Sequence, residues 1–360
     1  MPGPYDLSRD QLAELLRGEP DYRVRQVWDG LYRRALPVGE LTDLPLPLRH
    51  RLATSPALQP ALTAAARSVA DGGQTVKWGW RLGDGAVIET VLMHYPDRST
   101  VCVSTQAGCA MACSFCATGQ AGFRRHLTAG EIVEQVVAAI GEARPRRVAN
   151  VVFMGMGEPL ANYGPMWGAV ERLHCDLGFS ARHITVSTVG LVPGIRRLAK
   201  ESLPVNLAVS LHAANDRLRN QLVPIGRRWP LAALIAACHE YRAMKGRRLS
   251  FEWALIDGVN DRPSDAEELA ALVRPLGAHV NLIPLNPTPC YPTRGTPARY
   301  VRAFRDQLVA EGVNATVRRN RGTDIAAACG QLAGTMDGTP NRTVAGAVVL
   351  RPLPRSRVPN

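Results

Sequence analysis

Cys109-Ala110-Met111-Ala112-Cys113-Ser114-Phe115-Cys116 puts three thiols on one short loop at C-x3-C-x2-C spacing, directly after an apolar strand-like run over residues 100–105. Downstream of that loop, strand-like runs alternate with helical patterns. Further strands are predicted over residues 148–153, 183–188, 205–210, 250–256 and 279–284, and helices near 129–143, 166–177, 193–200, 230–245, 264–275 and 298–311. Thr128 followed by Glu131 forms a capping box ahead of the first of these helices. Six strand–helix units in series predict an α/β core around a parallel sheet, either doubly wound or a partial barrel. In both architectures ligands gather at the C-terminal ends of the strands, where the three thiols lie.

Upstream, Gln74 to Leu82 and Ala86 to Met93 read as strands joined by Gly83-Asp84-Gly85, a hairpin signal. The first 70 residues read as short helices, with Ser8 and Gln11 as a second capping box. The division expected is a helical domain over 1–72, a hairpin linker over 73–98, a core over 99–335 and a loosely ordered tail over 336–360.

The 360 residues, 46% hydrophobic and 21% charged, suit an ordinary folded chain and exclude global disorder, coiled coil and collagen. No apolar run approaches the roughly 18 residues of a membrane span, and Met1-Pro2-Gly3-Pro4-Tyr5-Asp6 lacks a basic stretch leading into an apolar one, so a cytoplasmic protein with no membrane partner is expected. Forty-three basic against 31 acidic residues give a net charge of +12. Residues 1–100 carry 12 of each sign, so the excess lies beyond residue 100 and favours a polyanionic partner such as nucleic acid.

Eight cysteines without a secretion signal are too sparse for a disulfide scaffold. Clustered thiols suit zinc or an iron–sulfur cluster. Three ligands are the informative count: structural zinc takes four, whereas a four-iron cluster held by three leaves one iron open for a substrate. A zinc site completed by His126, or three unligated thiols, remains open on the residues alone.

The stretch from Cys102 through Cys109, Cys113 and Cys116 to Gly122-Phe123 resembles the RlmN-type radical S-adenosylmethionine (SAM) enzymes, adenine-C2 RNA methyltransferases of the RlmN/Cfr family. The likeness runs from Arg25-Gln26-Val27-Trp28 to Arg321-Gly322-Thr323-Asp324-Ile325-Ala326-Ala327-Ala328-Cys329-Gly330-Gln331-Leu332. It implies a partial (βα)6 barrel preceded by a helical domain of helix-hairpin-helix type that helps to hold RNA. It also implies a 4Fe-4S cluster on Cys109, Cys113 and Cys116, with SAM used twice per turnover. Gly157 and Glu158 of Gly155-Met156-Gly157-Glu158-Pro159, together with Ser187, Ser210, Leu211, His212 and Asn286, match the SAM contacts. Read without the likeness, Ser187 is equally a turn residue, His212 a core histidine and Asn286 the start of a proline-rich turn.

Carbon-2 of adenine is a poor nucleophile, so direct transfer of a methyl cation to it is unfavourable. The resemblance implies a route through Cys329 as an S-methylcysteine, with Glu89 as proton acceptor and Cys102 as the thiol that releases RNA through a transient disulfide with Cys329. The implied substrates are adenine 2503 of 23S rRNA and adenine 37 of tRNA. Electrons would come from flavodoxin or ferredoxin, and the enzyme would act as a monomer. On residues alone Cys329 is equally an inert buried thiol, and Glu89 a hairpin-surface carboxylate or, on a strand with two apolar faces, one turned into a cavity whose burial would raise its pKa. Arg294, Arg299, Arg302, Arg305, Arg318, Arg319 and Arg321 would line the RNA approach. Two rivals stand beside this reading: the adenine-C8 methylation of the same family, and a zinc-stapled RNA-binding protein without catalysis.

Overall fold

The computed structural model describes residues 3–334, apart from 248, 289 and 292. The expected tail over 336–360 lies outside the described residues. Three short helices open the chain: α1 (Arg9–Leu15), α2 (Tyr22–Tyr32) and α3 (Leu46–Ala53). Ser8 and Gln11 close the capping box on α1, each side chain bonding the other's backbone N–H.

Strands β1 (Leu62–Ala70), β2 (Thr75–Leu82) and β3 (Val87–His94) form an antiparallel meander, and β3 pairs antiparallel with β4 (Ser99–Cys102). The β2–β3 hairpin falls where Gly83-Asp84-Gly85 placed it, and Gly85 takes the positive φ of 77° that suits glycine. Residues 62–70 depart from the expectation of a helical first 70. Alanine-rich Thr63 to Arg67 has helical propensity, but pairing with β2 overrides it along the whole of β1.

Beyond β4, strands β5 (Gln106–Gly108) and β6 (Phe123–His126) pair with each other apart from the main sheet, and the cysteine loop lies between them with helix α4 (Ala117–Gln120) at its end. The sequence run over 100–105 is therefore two pieces, β4 and the approach to β5. The alternating core follows, with α5 (Ala129–Ala143), β7 (Val148–Phe153), α6 (Tyr163–Cys175), β8 (Ile184–Thr188), α7 (Val192–Lys200) and β9 (Asn206–Ser210). It continues with α8 (Asp216–Leu222), α9 (Leu231–Lys245), β10 (Ser250–Leu255), α10 (Pro263–Val273), β11 (His279–Pro284), α11 (Ala298–Ala310) and β12 (Asn314–Val317). The capping box of Thr128 and Glu131 opens α5 as expected.

The strand order β1-β2-β3-β4-β7-β8-β9-β10-β11-β12 makes one open sheet, parallel from β4 to β12. Six strand–helix units are as expected, and β12 adds a seventh parallel strand. Period-two alternation sorts the side chains. Val101, Val186, Val209, Phe251, Trp253 and Leu282 are fully buried in the core, while their neighbours Cys102, Ser187, Ser210, Glu252, Ala254 and Ile283 line the inner cleft. The segment after β12 spans the open side: Arg321 donates to the His94 carbonyl at 2.7 Å and the Gly322 N–H to Asp71 at 3.0 Å. Among the described residues no helix is long and apolar enough to cross a membrane.

Candidate active site

The inner cleft is lined by the ends of β3, β4 and β7 to β11, the cysteine loop and residues 318–332. Seven of the residues singled out in the sequence share this lining with the cysteines: Gly157, Glu158, Ser187, Ser210, His212, Asn286 and Cys329. Cys102, Cys113 and Cys116 line it too.

The cysteine loop is seated by backbone bonds. The Cys109 N–H donates to the Gly122 carbonyl at 2.8 Å and the Ser114 N–H to the Leu222 carbonyl at 3.1 Å, while Phe115 and Cys113 pack among Leu222, Val223 and Ala213. All three thiols are free. Burial, joined by the charges of the neighbouring thiols, pushes Cys113 well above its ordinary value, and burial raises Cys109 to about 12. Such thiols ionise only with a cationic partner, which a metal cluster provides. Beneath them lies Arg219, fully buried, with one guanidinium N–H on the Val189 carbonyl at 2.6 Å and Nε and Nη1 without partners. A buried cation with orphaned donors beside Cys113 fits an anionic thiolate–sulfide group.

The geometry of the described residues around His126 offers zinc no fourth ligand beside the cysteines. Among the described residues no three His, Cys, Asp or Glu side chains stand where one metal ion could be held, as a zinc staple requires. His126 instead faces Gln106, with Nδ1 at 3.0 Å from the amide nitrogen, across the β5–β6 pair. A cubane asks less of the three cysteines, since each thiolate takes a different iron.

Glu158 is buried, and burial raises its carboxyl to about 7. Its oxygens accept from the N–H groups of Leu160 at 3.0 Å and Val189 at 2.8 Å, so the side chain ties the β7 and β8 loops together. Gly157 sits at φ 98°, where a Cβ would stand 2.6 Å from Gln106. His212 holds a positive φ of 61°, uncommon outside glycine, and its Nδ1 accepts from the Ala254 N–H at 2.9 Å. The ring is therefore the neutral Nε2–H tautomer, and burial lowers its pKa to about 3. Leu211 is the exception, because its side chain is buried in the core away from the cleft and only its backbone borders the loop.

Cys102 ends β4 and is buried; burial first, then the charge of Cys329, pushes its thiol up to about 12. Two residues 227 positions apart in the chain thus meet in one cleft. The backbone around Cys329 is held from several sides. Asn286 donates to the Cys329 carbonyl at 3.1 Å, the Ala117 N–H to the Gly330 carbonyl at 2.8 Å, and the Thr118 hydroxyl to the Leu332 carbonyl at 2.5 Å.

Glu89 lies on β3 between β2 and β4, fully enclosed, so the hairpin-surface reading fails. Lys77 reaches it at 2.8 Å, and its second oxygen accepts from the N–H of Ala333 at 2.8 Å and Gly334 at 3.2 Å. The carboxylate thereby holds the segment that carries Cys329. Lys77 was missed in the sequence, although the hairpin register places it diagonally opposite Glu89, two residues from Gly79. Also missed was Asn260, which supports His212 by donating to its carbonyl at 2.8 Å. Its signal was the turn sequence Gly258-Val259-Asn260-Asp261. Arg318, Arg319 and Arg321 of the arginine set lie on the cleft lining; Arg318 is half-buried there, where the charge of Cys329 raises its pKa most. Cys175 and Cys290 are exposed, and Cys238 is a core thiol.

The profile of the radical SAM superfamily matches residues 103–273. A Chloroflexus aurantiacus protein named "Probable dual-specificity RNA methyltransferase RlmN" is 53% identical over 348 residues, covering 92% of each chain. The "Dual-specificity RNA methyltransferase RlmN" of Anaeromyxobacter dehalogenans is 48% identical over 359 residues, covering 96% of each. A radical SAM methyltransferase from Sphaerobacter thermophilus superposes with a TM-score of 0.89 at 52% identity, over 93% of this chain and all of that one.

Proposed function

The chain belongs to the RlmN family of radical SAM RNA methyltransferases, and from that premise we propose that it methylates carbon-2 of adenine in 23S rRNA and tRNA by way of Cys329. A 4Fe-4S cluster and SAM are the family's cofactors, and when bound they supply one-electron cleavage of the sulfonium. Cys109, Cys113 and Cys116 would hold the cluster. Gly157, Glu158, Ser187, Ser210, His212 and Asn286, with the Leu211 backbone, would border the SAM.

One observation carries the reading: Cys102 and Cys329 meet as free thiols in the same cleft as the three-thiol loop. A methyl carrier and a releasing thiol must reach one another, and Cys102 lies on the rigid end of β4 while Cys329 sits on a segment outside any helix or strand. Glu89 would take the adduct's proton once Ala333 and Gly334 leave its second oxygen, with Lys77 keeping the first in place. The electron donor would be flavodoxin or ferredoxin.

Nucleoside mass spectrometry tests the reaction. RNA incubated with the anaerobically prepared enzyme, SAM and a reductant should yield 2-methyladenosine. Only 8-methyladenosine, or no methylated adenosine, would contradict it.

A further inference from the structure

On the cleft lining, Glu252 on β10 and Arg318 just past β12 have no part in the chemistry proposed above. Glu252 is 4% exposed, and only one of its oxygens is engaged. Oε1 accepts from Asn281 Nδ2 at 2.8 Å, with the Ser250 hydroxyl at 3.4 Å. Oε2 is buried and has no partner. Asn281 is itself fixed, since its Oδ1 accepts from the Thr316 hydroxyl at 3.0 Å and faces His279 Nε2 at 2.9 Å. The carboxylate, on a residue of the cleft lining, is thus held by one oxygen while the other is buried without a partner, and a buried acceptor left unpaired is costly.

Arg318 is its counterpart. Its backbone is pinned to Leu282 at 2.8 Å, and among the described residues no carboxylate lies within 4.0 Å of its guanidinium. The hydrogen bond its guanidinium makes is to the Met154 thioether sulfur at 3.8 Å, a weak acceptor. The charges of Cys329, Glu252 and Cys102 all bear on it. A ligand that satisfies both groups must present a donor beside an acceptor.

We infer that Glu252 and Arg318 form the subsite for the target base, with Glu252 Oε2 accepting from the adenine N6 amino group and Arg318 donating to N1. This deepens the proposed function and rests on it. Guanine and uracil present the opposite polarity on that edge, an oxygen acceptor beside an N–H donor, and are refused. Carbon-2 adjoins N1, so an N1 held by Arg318 brings carbon-2 towards Cys329, whereas carbon-8 lies across the base from that edge. The same pair therefore separates adenine from guanine and uracil, though not from cytosine, whose amino group and N3 have the same polarity, and it fixes which carbon of the purine is presented. Reading a splayed-out base by its pairing edge is the usual way in which enzymes recognise one drawn into a pocket.

The test is binding of an RNA stem-loop with one unpaired target adenine, against the same RNA carrying purine riboside there, which lacks the N6 amino group. The wild-type protein should bind the adenine RNA about 10- to 100-fold more tightly, the range for a hydrogen bond to a charged group. E252A, and E252Q, which keeps the volume, should bind the two RNAs within about 3-fold of each other, with melting temperature and iron content unchanged. Discrimination retained in both variants overturns the subsite. Loss of SAM affinity in equilibrium dialysis with RNA discrimination intact also overturns it and assigns Glu252 to SAM. Discrimination that disappears in the variants, in a protein that methylates no RNA, supports the subsite and removes the activity.

Discussion

On one side of the cleft the cysteine loop is bound backbone to backbone, to Gly122 and Leu222, and packed among Leu222, Val223 and Ala213. On the other side, residues 326–334 belong to no helix or strand; Ala327 and Leu332 touch the core, and the rest of the segment is held by separate polar ties to Asn286, Thr118, Ala117, Lys77 and Glu89. Each such tie contributes about 1 kcal/mol, so they can break one at a time. The contrast is that of a fixed mount and a detachable arm. A group that stays in place needs the first, and a thiol that must face a methyl donor, then a base, then Cys102 needs the second.

Breaking each side separately tests that contrast. Cys329→Ala should lower methylation by about 1000-fold or more while iron and sulfide content stay normal, as expected when a covalent carrier is removed. Cys113→Ala should remove activity and iron together. Iron loss in both variants would show that the two sides are not independent. Cys102→Ala comes next: turnover should fall, and a covalent RNA–protein adduct should accumulate on a denaturing gel. Free RNA with normal turnover would remove the role given to Cys102.

A smaller effect is expected from Asn286→Ala, which cuts one tie to the arm. Its kcat should fall about 10-fold with iron content unchanged, and proteolysis near residues 326–333 should quicken, consistent with the loss of one hydrogen bond. Unchanged cleavage would show that Asn286 does not hold the segment.

The last effect is on stability alone and lies away from both loops. Glu134 is buried and caps the Ala61 and Leu62 N–H groups at 3.0 and 3.1 Å, and burial raises its pKa to about 7. A carboxyl whose folded pKa exceeds its unfolded value binds its proton more tightly when folded. Its contribution is therefore complete below about pH 4.5 and fades as the pH rises through 7. Denaturant melts of the wild type at pH 5 and 8 should lose about 1–2 kcal/mol more than those of Glu134→Gln. Equal losses would contradict the assignment.

Much of this was legible in the sequence, and the reason is periodicity. The largely apolar runs over 148–153 and 279–284 match β7 and β11 residue for residue, because strands short of an outer sheet edge are mostly buried and keep few polar residues, here Asn150, His279 and Asn281. The capping boxes are local chemistry and needed no tertiary context. β1 was hidden because half-exposed, alanine-rich residues take their conformation from the β2 edge rather than from their own preference. In the site, the cysteines were visible because their spacing is itself the signal. Lys77, Asn260 and Glu252 were not, since each acts through a partner brought in from another strand or turn. Arg318 was named only as one of seven arginines along the RNA approach, and it is the fold that separates it from the set by turning it onto the cleft lining beside Cys329 and Glu252.

The central claim is that Cys329 carries the methyl group, and peptide mass spectrometry tests it most directly. The protein is incubated with SAM bearing a deuterated methyl group and then digested. The label should appear on the peptide containing Cys329 and on no other cysteine. Label on a different cysteine, or RNA methylated with Cys329 never labelled, would contradict the account.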